Sequence, residues 1–208
     1  MRGKFLVIEG IDGCGKSTQV KMLTEWLGKN NIPFFLTKEP SEKGFRKIIK
    51  ELVSDKTKID DPALDALLFT ADRKLHIDTE IKPALEEGKI VISDRYYHST
   101  FAYQQTQGLE LEWLREINRF ALKPFLTIIF DVPAEISVER LSKDSTRKSF
   151  DKFEKSEFLS KLRENYLKLV QELKEEKIII IDTNKAPELI FEELKGIMTR
   201  ELGLKIQA

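Results

Sequence analysis

The stretch Gly10-Ile11-Asp12-Gly13-Cys14-Gly15-Lys16-Ser17-Thr18 holds a glycine, four intervening residues and then Gly-Lys-Ser, the residue types and spacing of a phosphate-binding loop. Glycines let the backbone curl until several N–H groups point into one concavity, which attracts an anion. An apolar run (residues 5–8) reads as the strand before it, and the pattern after it reads as a helix. That helix N-terminus adds partial positive charge beneath the same phosphates. Lys16 would then reach the β- and γ-phosphates of a nucleoside triphosphate, and the Ser17 hydroxyl would ligate Mg²⁺. The plain alternative is a tight strand-to-helix turn with an exposed lysine. Cys14, the single cysteine, lies inside the loop with no base evident beside it, so a thiol nucleophile is not expected.

A second set of chemical groups ends the apolar run at residues 90–93, where Asp94 is followed at once by Arg95. Ligands of parallel sheets collect outside the carboxyl ends of the strands, so Asp94 is expected to face the same crevice as the loop and to hold Mg²⁺ there. Arg95 suits bidentate contact with a phosphate. A local Asp94–Arg95 ion pair or a helix N-cap is the competing reading. Phe69 and Arg73 stand at i, i+4 and so share one helix face. A ring beside a guanidinium suits a planar base, although Phe69 equally continues the apolar stripe of its helix.

These groups need a frame, and the rest of the chain supplies one. Apolar runs at residues 5–8, 33–37, 90–93, 126–131 and 178–181 are continuous rather than alternating, as in parallel strands covered on both faces. Between them lie helical patterns at 16–28, 62–87, 111–122, 154–175 and 187–202, with Pro83 expected to kink or divide the second. Strands alternating with helices predict a three-layer α/β fold with a five-stranded parallel sheet, built as a single domain over residues 1–208. Two stretches resist the pattern. Residues 39–61 are charged and only partly periodic, and residues 142–155 are dense in charge, with Lys143, Arg147, Lys148 and Lys152 suggesting a short mobile lid over phosphates.

Lys+Arg and Asp+Glu balance at 35 each, so no global charge points to nucleic acid or a membrane surface. One cysteine gives no disulfide framework and fits a reducing, cytoplasmic setting. No apolar run approaches the ~18 residues of a membrane span, and the chain enters its first strand without room for a signal peptide.

Several stretches together resemble the thymidylate (dTMP) kinases, a class of P-loop nucleoside monophosphate kinases. They are residues 5–19, Lys38-Glu39-Pro40, residues 67–73 ending in Ala71-Asp72-Arg73, and residues 90–96 with Ser99, Ala102, Tyr103 and Gln104. The run from Asp94 to Gln104 is far more specific than the phosphate loop. The resemblance implies Mg²⁺-dependent transfer from ATP to dTMP, giving dTDP and ADP, in a homodimer packed through helices. Under it Phe69 stacks on thymine and Arg73 bonds its O4 edge, while Ser99, Thr100 and Gln104 line the base pocket. Tyr103 crowds the 2′ side of the sugar, Asp12 meets the 3′-hydroxyl, Arg95 grips the acceptor phosphate, and Glu39 lies near metal and phosphate. Asp182 borders the adenine and Arg140 stacks on it; Gly10, Asp12, Gly13, Cys14, Gly15, Lys16, Ser17 and Thr18 hold the ATP phosphates. Relatives lacking an arginine in the phosphate loop carry it in the lid, which selects Arg147. The chain departs from its relatives at Lys152, Lys50 and Ser41-Glu42, where many have arginine, arginine and Gly-Gly.

Two other functions compete. The acceptor could be a different nucleotide or a nucleoside. A GTP-dependent switch would read guanine through Asn-Lys-x-Asp, but residues 184–187 are Asn-Lys-Ala-Pro, without the carboxylate that takes guanine N1–H and N2–H.

Overall fold

The computed structural model describes residues 3–53, 60–143 and 156–204. Five strands, β1 (Lys4–Glu9), β2 (Phe34–Lys38), β3 (Ile90–Asp94), β4 (Leu126–Asp131) and β5 (Ile178–Asp182), form one parallel sheet in the order β2-β3-β1-β4-β5. The three central strands are buried almost throughout, which is why their sequences run apolar without alternation. The expected three-layer α/β architecture is present.

The helices of the described residues are α1 (Lys16–Lys29), α2 (Arg46–Val53), α3 (Pro62–His76), α4 (Lys82–Glu86), α5 (Tyr97–Thr106), α6 (Leu111–Ile117), α7 (Ala134–Ser142), α8 (Ser156–Glu172) and α9 (Pro187–Leu202). Helix α1 packs against α9, while α5 lies against α3, α6 and α8. Pro62 and the Asp61 side chain start α3: the carboxylate accepts from the N–H groups of Ala63 and Leu64. Gly203, at φ 65°, ends α9 in the left-handed region.

Pro83 divides the long helical stretch, as the sequence suggests. Between α3 and α4 the chain widens into a π-helical turn (Ile77–Ile81), and the Lys82 N–H reaches back five residues to the Ile77 carbonyl. Proline has no N–H for residue 79 and its ring crowds that carbonyl, so the wider turn relieves the conflict.

Three helices, α2, α5 and α7, lie outside the helical patterns read from the sequence. The partly periodic stretch 39–61 contains α2, which buries Ile49 and leaves Ile48 exposed, with Phe45 also exposed just before it. Helix α5 hides inside the run after Asp94, and nothing in its own residues caps it. Its N-terminus is served instead by the Glu9 carboxylate, which accepts from the N–H groups of Tyr96 (2.8 Å) and Ser99 (3.1 Å). The cap lies about 90 residues away in sequence, where no local pattern reveals it.

Candidate active site

The phosphate loop leaves β1 through Gly10 (φ 136°) and enters α1 through Gly15 (φ 96°). At Gly10 both the backbone angle and the space demand glycine, since a Cβ would lie 2.4 Å from the Phe130 carbonyl oxygen. At Gly13 (φ 77°) a Cβ would sit 2.7 Å from the Ser137 carbonyl of α7. Helix α7 thus backs the loop, and the Ser137 hydroxyl donates to the Asp12 carbonyl. Lys16 is folded onto the loop, its Nζ 2.8 Å from the Gly10 oxygen and 3.1 Å from the Ile11 oxygen. Ser17 and Thr18 are exposed at the start of α1, and Cys14 is fully buried, where burial pushes its thiol up.

Arg140 bridges the phosphate loop and the segment after β5. One Nη donates to the Thr183 carbonyl (3.0 Å), after β5, and the other approaches the Gly13 carbonyl (3.5 Å). Asp182 lies beside it at the end of β5, exposed, accepting from the Asn184 N–H.

A second node forms around Arg95. This residue holds φ 72°, a left-handed conformation unusual for a side-chain-bearing residue and a mark of a functional constraint. The bend turns the guanidinium back over the phosphate loop, where one Nη lies 2.6 Å from Asp12 Oδ1. The other Nη donates to Ser99 Oγ (3.1 Å) and the Tyr166 hydroxyl (3.2 Å), and the group sits 5.3 Å from the centre of the Tyr103 ring. The Tyr103 hydroxyl reaches Asp12 Oδ2 at 3.4 Å. Burial pushes the Tyr103 and Tyr166 phenols up, so both keep their protons.

Asp94, one residue earlier, makes no ion pair with Arg95 among the described residues. Its buried Oδ1 has no hydrogen-bond partner. An orphaned carboxylate oxygen at the carboxyl end of β3, with the Ser17 hydroxyl exposed at the helix start, is a donor set that fits Mg²⁺, a cation that takes oxygen ligands and retains waters. Among the described residues no group of three or more His, Cys, Asp or Glu side chains could hold a metal ion.

The third node is Arg73 on α3, 1% exposed. Its Nε and one Nη both donate to Glu39 Oε2 (2.9 and 2.7 Å). The same Nη reaches Thr100 Oγ1 (3.1 Å), and the other donates to Asn118 Oδ1 (2.6 Å). Of five N–H groups, these contacts leave one, on the Nη that faces Asn118. Glu39 is equally engaged, with Oε1 3.2 Å from His76 Nδ1. Asp72 fixes the segment after Glu39 by accepting from the N–H groups of Ser41 (2.7 Å) and Phe45 (2.8 Å). Burial raises the Asp72 carboxyl even so.

The structure therefore brings Asp12, Arg95, Ser99 and Tyr103 into one network, and Glu39, Arg73 and Thr100 into another. Phe69 is half-buried one turn before Arg73, and Gln104 is buried against Gln107 (3.1 Å); neither touches the networks through a polar contact. Arg147, with Lys148 and Lys152, lies outside the described residues, as does most of the 142–155 lid. Sequence reasoning missed Glu9, His76, Asn118 and Tyr166. For Glu9 a signal existed: a carboxylate in an apolar central strand must find partners. Tyr166 read only as one more member of an apolar helical stripe.

The family model described as thymidylate kinase matches residues 8–194. A "probable thymidylate kinase" of Thermococcus gammatolerans is 44% identical over 208 residues, covering 96% of this chain and 98% of the relative. One of Thermococcus onnurineus, with the same description, is 48% identical over 182 residues (84% of this chain, 88% of the relative). A "thymidylate kinase" of Carboxydothermus hydrogenoformans is 38% identical over 204 residues (95% and 98%). By this match over most of its length, the chain belongs to the thymidylate kinase family of nucleoside monophosphate kinases.

Proposed function

We propose that the protein transfers the γ-phosphoryl group of ATP to dTMP, giving dTDP and ADP, in nucleotide biosynthesis. The observation that carries the reading is Arg95. Its strained backbone aims a half-buried guanidinium at Asp12 inside the donor loop, so an acceptor phosphate held by Arg95 lies beside the donor phosphates.

The acceptor phosphate oxygen is already a nucleophile, so no dedicated base is required. The loose transition state needs alignment and charge neutralisation. Loop N–H groups and Lys16 hold the donor. Arg95 holds the acceptor phosphate, Asp12 and Tyr103 border the sugar, and Phe69, Arg73, Thr100 and Gln104 line the base. The remaining Arg73 N–H is a donor for a base carbonyl. Arg140 and Asp182 lie on the adenine side, and Arg147, assigned by motif alone, supplies transition-state charge. Asp94 and Ser17 would hold Mg²⁺, which neutralises phosphate charge when bound.

The proposed assembly is a homodimer in the cytoplasm, with no nucleic-acid or membrane partner. In support of the dimer, Leu67, Ala71 and Leu75 stand at i, i+4 and i+8 on α3 and form an exposed apolar stripe. Among the described residues no helix is long and apolar enough to cross a membrane.

The test is ADP release from ATP across dTMP, dUMP, dCMP and thymidine, with GTP as an alternative donor. Turnover with dTMP and ATP should exceed every other combination. Preferred use of another acceptor, or of GTP, overturns the proposal.

A further inference from the structure

Arg95 is oriented by its own backbone and by side chains that run back to Glu9, of which Ser99 is the one the family resemblance also places at the base. Its backbone is pinned by its own N–H on the Ile8 carbonyl (2.9 Å) and by the Ser93 hydroxyl on its carbonyl (2.7 Å). Its side chain meets Ser99 and Tyr166, and both of those turn to Glu9. Ser99 Oγ donates to Glu9 Oε2 at 2.7 Å and the Tyr166 hydroxyl to the same oxygen at 3.0 Å, with 2.9 Å between the two hydroxyl oxygens. Glu9 and Tyr166 are 0% and 1% exposed.

The directions of these bonds follow from proton counting. A guanidinium only donates and a carboxylate only accepts. Ser99 and Tyr166 each have one proton, and neither can spend it on Arg95. Both protons run toward Glu9, directly or, for Tyr166, through Ser99. The hydroxyl lone pairs are thereby turned toward the guanidinium before any substrate arrives.

We propose that Tyr166, polarised by Glu9, is a positioning residue for Arg95 that fixes the direction of its phosphate-gripping N–H groups and links helix α8 to the acceptor phosphate. The inference rests on the reading that Arg95 grips that phosphate. Without the phenol oxygen, one Nη would lose an acceptor in a buried site, and the guanidinium would have to be ordered at the moment of binding. The cost falls on the phosphate and not on the base, because the Glu39–Arg73–Thr100 node shares no hydrogen bond with Glu9 or Tyr166.

The experiment measures binding of dTMP and of thymidine, which lacks the phosphate, to wild type, Tyr166→Phe, Ser99→Ala and Arg95→Ala. Tyr166→Phe preserves shape and should weaken dTMP about tenfold, the loss of one hydrogen bond to a charged group, with thymidine within about twofold. Ser99→Ala should act in the same direction. At saturating dTMP the kcat of Tyr166→Phe should stay within a few-fold of wild type while KM rises. Equal weakening of dTMP and thymidine, or unchanged dTMP binding in both hydroxyl variants, overturns the inference. Should Tyr166→Phe fail to fold, Ser99→Ala decides. If Arg95→Ala keeps the preference for dTMP over thymidine, the reading of Arg95 itself fails and the inference falls with it. If Arg95→Ala loses that preference while both hydroxyl variants keep it, the inference alone fails.

Discussion

The two sides of the proposed site, donor and acceptor, are built from different materials. The donor side is mostly backbone: three glycines with positive φ, a helix start, and a lysine resting on main-chain oxygens. The acceptor side is made of side chains from β1, α3, α5, α8 and their loops, cross-linked and buried before any substrate is present. Backbone groups cradle any triphosphate, so the donor side needs few residue identities and writes a short, generic motif. Side chains must be chosen one by one, so the acceptor side carries the specificity. It also bears the cost of burying charge.

That contrast predicts where substitutions act. Arg147 lies outside the described residues; under the proposed function Arg147→Ala should lower kcat by about 10³-fold or more with little change in either KM, the signature of charge supplied only in the transition state. A kcat within a few-fold of wild type would move that role back into the two described sides. Arg73→Met removes one partner of a buried ion pair and strands Glu39 and Asn118. It should cost about 3–5 kcal/mol of stability, read by urea unfolding; a loss below 1 kcal/mol would mean the acceptor side is far less rigid than its bonds imply. Lys16→Met should do the reverse, lowering kcat about 10²–10³-fold while leaving the unfolding midpoint close to wild type.

The smallest effect concerns the floor beneath the acceptor side. Glu176 is buried, which alone would raise its carboxyl, but bonds from His98 (2.8 Å) and Tyr97 (2.7 Å) outweigh this and hold it below its ordinary 4.5. A depressed folded-state value means its stabilisation is present above pH 4.5 and is lost as pH falls through that lower value. Glu176→Gln should therefore cost about 1–2 kcal/mol at neutral pH, and the gap should close in unfolding measured near pH 3. An undiminished gap would assign the loss to shape rather than charge.

Much of the frame was legible in the sequence, because continuous apolar runs and helical stripes report burial directly. Asp94, Arg95 and the loop glycines were legible too, since their positions at strand ends follow from topology. Helix α5 was not, because its cap, Glu9, comes from a different strand. Nor was the clamp on Arg73: Asn118 and His76 are ordinary polar residues until folding stacks α3, α5 and the turn after α6 around one guanidinium. Polar networks assembled from distant segments leave no period to read. Asp72 shows the same: only the folded chain reveals that it ties down the segment carrying Ser41 and Phe45, and that a Cβ at Gly44 would collide with it at 2.1 Å.

Under the proposed function, the resting position of Lys16 would have a kinetic consequence. Its ammonium already has two carbonyl dipoles as company, so nucleotide arrival is an exchange of partners rather than the quenching of a bare charge. Part of the attraction to the phosphates is spent on leaving those carbonyls, which tempers the grip on ATP. The same oxygens stand ready to take the lysine back as the transferred phosphoryl departs. The loop thereby eases the exit of ADP, and an enzyme that must turn over gains more from that than from a tighter hold.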